Sequence, residues 1–381
     1  SYTHTEGVVP GNTWSRFTMR LTGETRIGEH FRLTGSANYI HSGGDRKQRG
    51  NNASGIMLGL LRTPPTFDDA AGYELADGSQ RNYQHGGGYD NPYWSVNKNI
   101  FTDRIDRLIG YAGFDWDIAT WVNLSYRLGL DYFSDTSKNH FAVGSCAYPS
   151  GFVWVDKYDE HNINSDLIAT FRYEPARNWQ LEARLGHHLS EIGSHELWST
   201  ATGLSMPDFY HLTNTSAQFT SDLTQKVRRA AFFGEIETIC KRMVYLTLTG
   251  RNDWSTTLPE SNNSFFYPSV SVAWVFTELK PLVRNRILPF GKIRFSYAIT
   301  ASDAEPYRTR TNFAPAAVID RWTGGLQFPL MGYAGFTLSD IMGNDHLMPE
   351  KTSGWELGAD MRFFENKLSF DFSYFRSYSR D

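Results

Sequence analysis

Long hydrophobic runs are missing from this 381-residue chain: the longest, residues 56–61, contains Gly59 and falls far short of the roughly 18 apolar residues of a membrane helix. Helical membrane spanning is excluded. Cysteine is equally scarce. Cys146 and Cys240 alone cannot make a disulfide scaffold, nor supply a zinc site needing about four ligands. Charge is thin at 20% of residues and nearly balanced at −4, which argues against a phosphate-backbone binder, so no nucleic acid is expected as partner. The opening Ser1-Tyr2-Thr3-His4 has no basic stretch leading into an apolar core, and so shows no secretory signal.

Aromatic residues are abundant, with 11 Trp, 20 Tyr and 26 Phe. Together with the low charge they point to an interface with something other than water. Period-two alternation is the dominant pattern. Leu368, Phe370, Phe372 and Tyr374 alternate with Ser369, Asp371 and Ser373, while Trp355, Leu357, Ala359, Met361 and Phe363 alternate with Glu356, Gly358, Asp360 and Arg362. Glu365-Asn366 between the two runs makes a tight hairpin. The same reading predicts hairpins at 12–27 with 29–42, 104–119 with 121–134, 161–173 with 178–190, 226–239 with 242–251 and 265–276 with 291–300, about twelve strands in all.

Short turns near Gly28, Thr120, Pro175, Cys240 and Asn366 alternate with long connections at 43–103, 135–160, 191–225, 252–264 and 301–351. In an up-and-down sheet that alternation puts short turns at one end and long loops at the other, as in outer-membrane barrels. A short helix is expected at 282–288 on the short-turn side. Strands of about 9 to 11 residues suit a tilted bilayer crossing. Aromatics gather at their ends as interface girdles would: Trp116, Trp121, Tyr132, Phe133, Tyr173, Trp179, Phe265, Phe266, Tyr267, Trp355 and Phe364. This geometry places Cys146 in a long loop and Cys240 at the opposite end, too far apart to pair.

The segment Leu248-Thr249-Gly250-Arg251-Asn252-Asp253-Trp254-Ser255-Thr256-Thr257-Leu258-Pro259, followed by Asn262-Asn263-Ser264-Phe265-Phe266-Tyr267-Pro268, resembles the SusC-type (SusC/RagA) family of TonB-dependent outer-membrane transporters. Lys292-Ile293-Arg294-Phe295-Ser296-Tyr297-Ala298 and Pro349-Glu350-Lys351-Thr352-Ser353-Gly354-Trp355 are similar to later strands of that family. The resemblance covers residues 228–381 well, and Arg251, Asn252, Asp253 and Trp254 are the motif's core. It implies an all-β, transmembrane antiparallel up-and-down β-barrel of about 22 strands, located in the outer membrane of a Gram-negative cell as a multi-pass protein. It also implies a plug, a SusD-like surface lipoprotein lid, energy from the TonB complex, and import of an oligosaccharide or peptide. No plug-like or TonB-binding segment is recognised here, nor a closing terminal aromatic. Residues 1–381 are therefore read as a partial β-barrel domain from the middle of a transporter, its N-terminal plug and C-terminal closing strands absent.

Sites are sought in the loops, where an aromatic face can stack on a sugar while amides and carboxylates take its hydroxyls. The candidate substrate-binding residues are Tyr89, Asn91, Tyr93 and Trp94 (with Asp90), Trp198 and Tyr210 (with Asp208 and Asn214), and Arg321 and Trp322. Loop packing or contact with the lid would place the same residues there. Lumen-facing charges Arg127, Asp131, Glu182, Arg184, Glu235, Glu237, Asp360 and Arg362 are expected to bond one another. His187, Glu191 and His195 would converge on a metal only in a helix, and Gly86-Gly87-Gly88 lacks the Lys-Ser of a phosphate loop. No metal, cofactor or catalytic residue is expected, and no enzyme. Two other readings remain: a structural barrel subunit of a larger outer-membrane complex, known by what co-purifies, and a soluble all-β carbohydrate-binding protein, known by purification without detergent.

Overall fold

The computed structural model describes residues 1–48, 52–84, 88–283, 285–318 and 326–380. Thirteen strands form one antiparallel sheet in chain order: β1 (Tyr2–Glu6), β2 (Thr13–Ile27), β3 (Phe31–Lys47), β4 (Ile100–Ala119), β5 (Val122–Ser145), β6 (Tyr148–Ala176), β7 (Trp179–Leu204), β8 (Thr215–Cys240), β9 (Val244–Ser255), β10 (Ser264–Val275), β11 (Phe290–Ser302), β16 (Glu350–Phe363) and β17 (Leu368–Arg380). Two small hairpins, β12 (Phe313–Pro315) with β15 (Phe336–Leu338) and β13 (Ala317–Val318) with β14 (Leu326–Gln327), lie in the last long loop. All six expected hairpins are present. The short β1 was not anticipated; five residues with no apolar face carry no period-two signal.

Register fixes two faces, because side chains alternate along each strand. Leu108, Ala112, Phe114 and Trp116 of β4 lie opposite Tyr132, Leu128, Tyr126 and Leu124 of β5. That apolar row continues through Leu167 and Ala169 on β6, Leu185 on β7, and Ile236 with Leu248 on β8 and β9. It ends on Leu357 and Ala359 of β16 opposite Tyr374 and Phe372 of β17. None of these side chains is buried, and Leu185 is 59% and Phe372 52% exposed, as expected where hydrocarbon is the solvent. The opposite face is polar. Trp116, Trp121, Tyr173, Trp179, Trp355 and Phe364 are exposed, whereas register turns Phe133, Phe265 and Tyr267 onto the polar face. Those three do not belong to a girdle.

Three connections differ from expectation. The stretch 135–160 is strand except for a turn at 146 and 147, and 191–225 is strand except for 205–214. β5 to β8, with 24, 29, 26 and 26 residues, therefore continue well past the roughly 9 to 11 residues of a crossing. Beyond the bilayer both faces of a strand meet water, so the apolar alternation fades and leaves no strand signal. Cys146 accordingly sits in a tight turn rather than a long loop, and both cysteines are free. Among the described residues of 282–288 there is no helix, and a short 3-10 turn, Phe276–Glu278, precedes them. Beyond it the Asn285 side chain accepts from the Ile287 and Leu288 amides, a local bond that competes with a helix.

The hairpin turns are tight. Gly28 takes φ +66° between β2 and β3, and Lys241 and Arg242 adopt φ of 53° and 56° between β8 and β9, the left-handed pair that matches strand twist.

Candidate functional site

The first long connection carries helical elements packed against the β5–β6 turn. It carries α1 (Ile56–Arg62), a 3-10 turn Asp69–Ala71 and α2 (Pro92–Lys98). Proline at 64 and 65 stops α1. Gly59 is required by close approach, since a Cβ there would lie 2.5 Å from the Asp90 carbonyl oxygen. α2 begins on Asn91, whose side-chain oxygen accepts from the Tyr93 amide at 2.9 Å, with Pro92 in the first turn.

Asp90 is the hub of this loop. It is 2% exposed, and its carboxylate accepts from Gln80 Nε2 (2.9 Å), the Cys146 amide (2.6 Å) and Asn99 Nδ2 (3.0 Å). Trp94, also 2% exposed, donates Nε1 to Ser145 Oγ at 2.9 Å. The loop is thereby bolted to the β5–β6 turn. Asn91, besides capping α2, donates to the Arg81 carbonyl at 2.9 Å. Asn91 and Trp94 are thus core residues of the loop, with no surface to offer a substrate. Tyr89 is half-buried with Arg62 over its ring, and Tyr93 is exposed.

The remaining candidates disperse. Trp198 belongs to β7 rather than a loop, and meets Phe219 edge-on at 5.6 Å. Tyr210 lies in 205–214, its ring stacked on His140 at 3.8 Å, its hydroxyl donating to Asp208. Lys98 of α2 reaches Asp208 at 3.1 Å and joins this loop to the first. Burial, then the bond to Asp208, raises the Tyr210 phenol. Burial opposes ionisation of Asp208, but Tyr210 and Lys98 outweigh it and its pKa is lowered. Asn214 bonds only backbone of its own loop. Arg321 and Trp322, like Gly86 and Gly87, lie outside the described residues.

The motif divides by parity. Arg251 and Asp253 project onto the polar face as an ion pair of 2.8 Å, with the Tyr267 hydroxyl donating to Asp253. Asn252 and Trp254 project onto the apolar face, where Asn252 donates to Ser264 Oγ and Trp254 packs edge-on to Phe232. These contacts tie β8, β9 and β10 together.

Several charges on the polar face are paired. Arg107 holds Asp131, Arg184 bridges Glu182 and Glu235, and Lys292 lies 3.7 Å from Asp360. Arg127 and Arg362 instead sit over the rings of Tyr111 and Phe290. His187, Glu191 and His195 are strung along β7 and do not converge. His187 packs on Phe232, Glu191 pairs with Arg228, and His195 bonds Asp222.

A hollow of about 740 Å³ on this face lies where β3, β4 and β5 rise under α1. Its wall carries Arg46, Asp103, Asp135, Ser137 and Asn139, with Ile56 and Met57 of α1 above. Arg46 pairs with Asp103 at 2.8 Å, and Gln48 donates to Asn139 at 2.7 Å. Phe101 on the same wall stacks on Trp154 at 6.0 Å. Sequence reading missed these residues because it placed 43–103 and 135–160 in long connections, whereas β3, β4 and β5 continue into them.

Among the described residues no helix is long and apolar enough to cross a membrane; the crossing elements are strands. Over residues 38–381 the chain matches the family model described as TonB dependent receptor-like, beta-barrel. It is 20% identical over 396 residues to the TonB-dependent receptor P26 of Formosa agariphila, covering 100% of this chain and 38% of that protein. It is 21% identical over 399 residues to the TonB-dependent receptor SusC of Bacteroides thetaiotaomicron, covering 97% of this chain and 38% of that one. In fold it is similar to the RagAB peptide transporter, with a TM-score of 0.77 at 16% identity over 96% of this chain and 40% of the solved one. The chain spans about two-fifths of the length of these relatives. Apolar face, girdle and long-loop end are those of an outer-membrane wall, and the chain belongs to the TonB dependent receptor-like β-barrel family.

Proposed function

We propose that this chain forms wall and extracellular loops of a SusC-type importer that moves an oligomeric nutrient across the outer membrane without breaking bonds in it. The observation that carries this reading is the hollow under α1, at the extracellular end of a polar wall on which Arg107 pairs with Asp131 and Arg184 with Glu182 and Glu235. A glycan fits it best. The Phe101 ring, stacked on Trp154 behind it, offers a face to sugar C–H groups, while Gln48, Asn139, Ser137 and Asp135 offer amides, a hydroxyl and a carboxylate to hydroxyls. A peptide is the second reading, favoured by the two signs of charge on one wall, Arg46 and Lys47 against Asp103 and Asp135.

β1 and β17 each have a single neighbour among the described residues, and an unpaired edge is costly in lipid. Further strands beside them, with a plug, would complete the barrel. Energy would come through the TonB complex, and a SusD-like lipoprotein would close over the loop end. The test is binding to the full-length protein in detergent, using a neutral oligosaccharide series and a peptide series. Phe101→Ala is expected to weaken glycan binding about tenfold, close to 1.4 kcal/mol, with the fold unchanged. Unchanged glycan binding in both Trp154→Ala and Phe101→Ala removes this hollow as the site; binding of peptides alone selects the second reading.

A further inference from the structure

The apolar face of β7, β8 and β9 carries a groove for which nutrient transport has no use. At its lower end Leu185 lies opposite Gly234, and Gly234 opposite Gly250. The glycines open a hollow of about 460 Å³. A Cβ on Gly234 would come 3.2 Å from Leu185, and one on Gly250 3.1 Å from Phe266. One step up come His187 and Phe232, and then Leu189 and Ala230 with Trp254. Here a second hollow of about 500 Å³, lined by Ile163, Leu189, Ala230 and Trp254, ends at Glu191 and Arg228.

The chemistry changes abruptly at that end. Arg228 and Lys226 follow Ala230 on the same face of β8, with side chains 62% and 48% exposed. Glu191 accepts from Arg228 Nε at 2.5 Å and lies 3.3 Å from both Lys226 Nζ and His161 Nε2. Two permanent cations thus face one carboxylate, and the carboxylate orients them. The wall also steps down beside them, since β9 ends at Ser255, opposite Arg229. Above that level β8 meets loop groups in place of a strand: the Arg228 amide donates to Thr256 Oγ1 and the Lys226 amide to the Tyr307 hydroxyl. A groove that is apolar in its lower part, bordered by Trp254 and topped by net positive charge matches an anionic amphiphile at a bilayer surface.

We infer that this groove holds one phosphate-bearing lipid of the outer leaflet, an acyl chain along Leu189, Phe232 and the Gly234–Gly250 hollow, the phosphate on Arg228 and Lys226. A soluble partner could not occupy the lower hollow, which lies within the apolar band. Bulk lipid would fill the hollows without needing the cations.

The test uses the full-length protein in phosphatidylcholine nanodiscs doped with diphosphorylated lipid A, transferred to detergent and weighed by native mass spectrometry. One retained lipid A per protein is expected, with retention falling at least about tenfold, some 1.4 kcal/mol, in K226Q/R228Q. Ala230→Leu, which fills the upper hollow and leaves the charges alone, is expected to lower retention as well. Arg104→Gln, on the same face of β4, should retain the wild-type amount. Equal retention of dephosphorylated lipid A, no change in either the double variant or Ala230→Leu, or an equal loss in Arg104→Gln would each overturn the inference.

Discussion

Cys146 and Asp303 sit at turns outside the bilayer, and their ionisation reports how tightly the loops are held. Burial, and then the neighbouring Asp90, push the Cys146 thiol up to about 12. An ordinary thiol near about 8.5 is roughly a quarter ionised at pH 8. In a Cys240→Ser background, iodoacetamide is therefore expected to alkylate folded Cys146 at least about 100-fold more slowly than the urea-unfolded chain. Equal rates would show the β5–β6 turn to be open. Asp303 follows β11 and is gripped by Arg229 Nε at 2.8 Å, Ser255 Oγ at 2.5 Å and Thr257 Oγ1 at 3.0 Å. Burial opposes its charge, but these bonds outweigh it and the pKa is lowered. The stabilisation is complete above the unfolded carboxylate pKa of about 4 and is lost as pH falls through the lower folded value. Asp303→Asn removes the ion pair and is expected to loosen the last long loop by about 1–2 kcal/mol, read as faster protease cleavage in 303–349 at neutral pH. At a pH below the folded value the two proteins should be cut alike.

The first loop is an element with a core, and Trp94 is its largest buried side chain. Trp94→Ala empties that core and frees the bond to Ser145, at a cost of about 3–5 kcal/mol. Hydrogen exchange across 52–99 should rise, while exchange in β10 and β11, which touch none of this loop, stays as it is. Protection unchanged in 52–99 would mean that Asp90 and its donors hold the loop without the indole. This loop also shows where sequence reading stops. Asn91-Pro92 is legible as a helix start, yet nothing in the order of residues 89–94 says that Asn91 and Trp94 turn inward while Tyr93 turns out. That depends on Ser145, about 50 residues away and in a strand that the fading alternation concealed. Within the bilayer the opposite holds. Leu124 to Tyr132 and Leu368 to Tyr374 meet two different solvents on their two faces, so the hairpins could be read directly. Arg46, Asp103 and Asn139 stayed hidden because their wall rises where water lies on both sides.

For the whole molecule, the decisive quantity is direction across the membrane. The turn at Thr120 joins β4 and β5, and the loop at Tyr333 lies between β11 and β16. Both residues are exposed, Tyr333 at 76%. An up-and-down sheet places them on opposite sides, because every crossing strand reverses the chain. Strands β5 to β8 continue past the bilayer only at the end that carries Ser145, Leu204 and Thr215, and the hollow under α1 opens at that same end. If that end faces the medium, Tyr333→Cys in a C146S/C240S background is labelled by a membrane-impermeant maleimide on intact cells. Thr120→Cys then requires the outer membrane to be opened first. The reverse result would point the hollow at the periplasm and leave it nothing to capture from outside. Labelling of both on intact cells would mean that the strands do not cross at all, and that the exposed apolar face of β4 to β11 must be covered by protein rather than lipid.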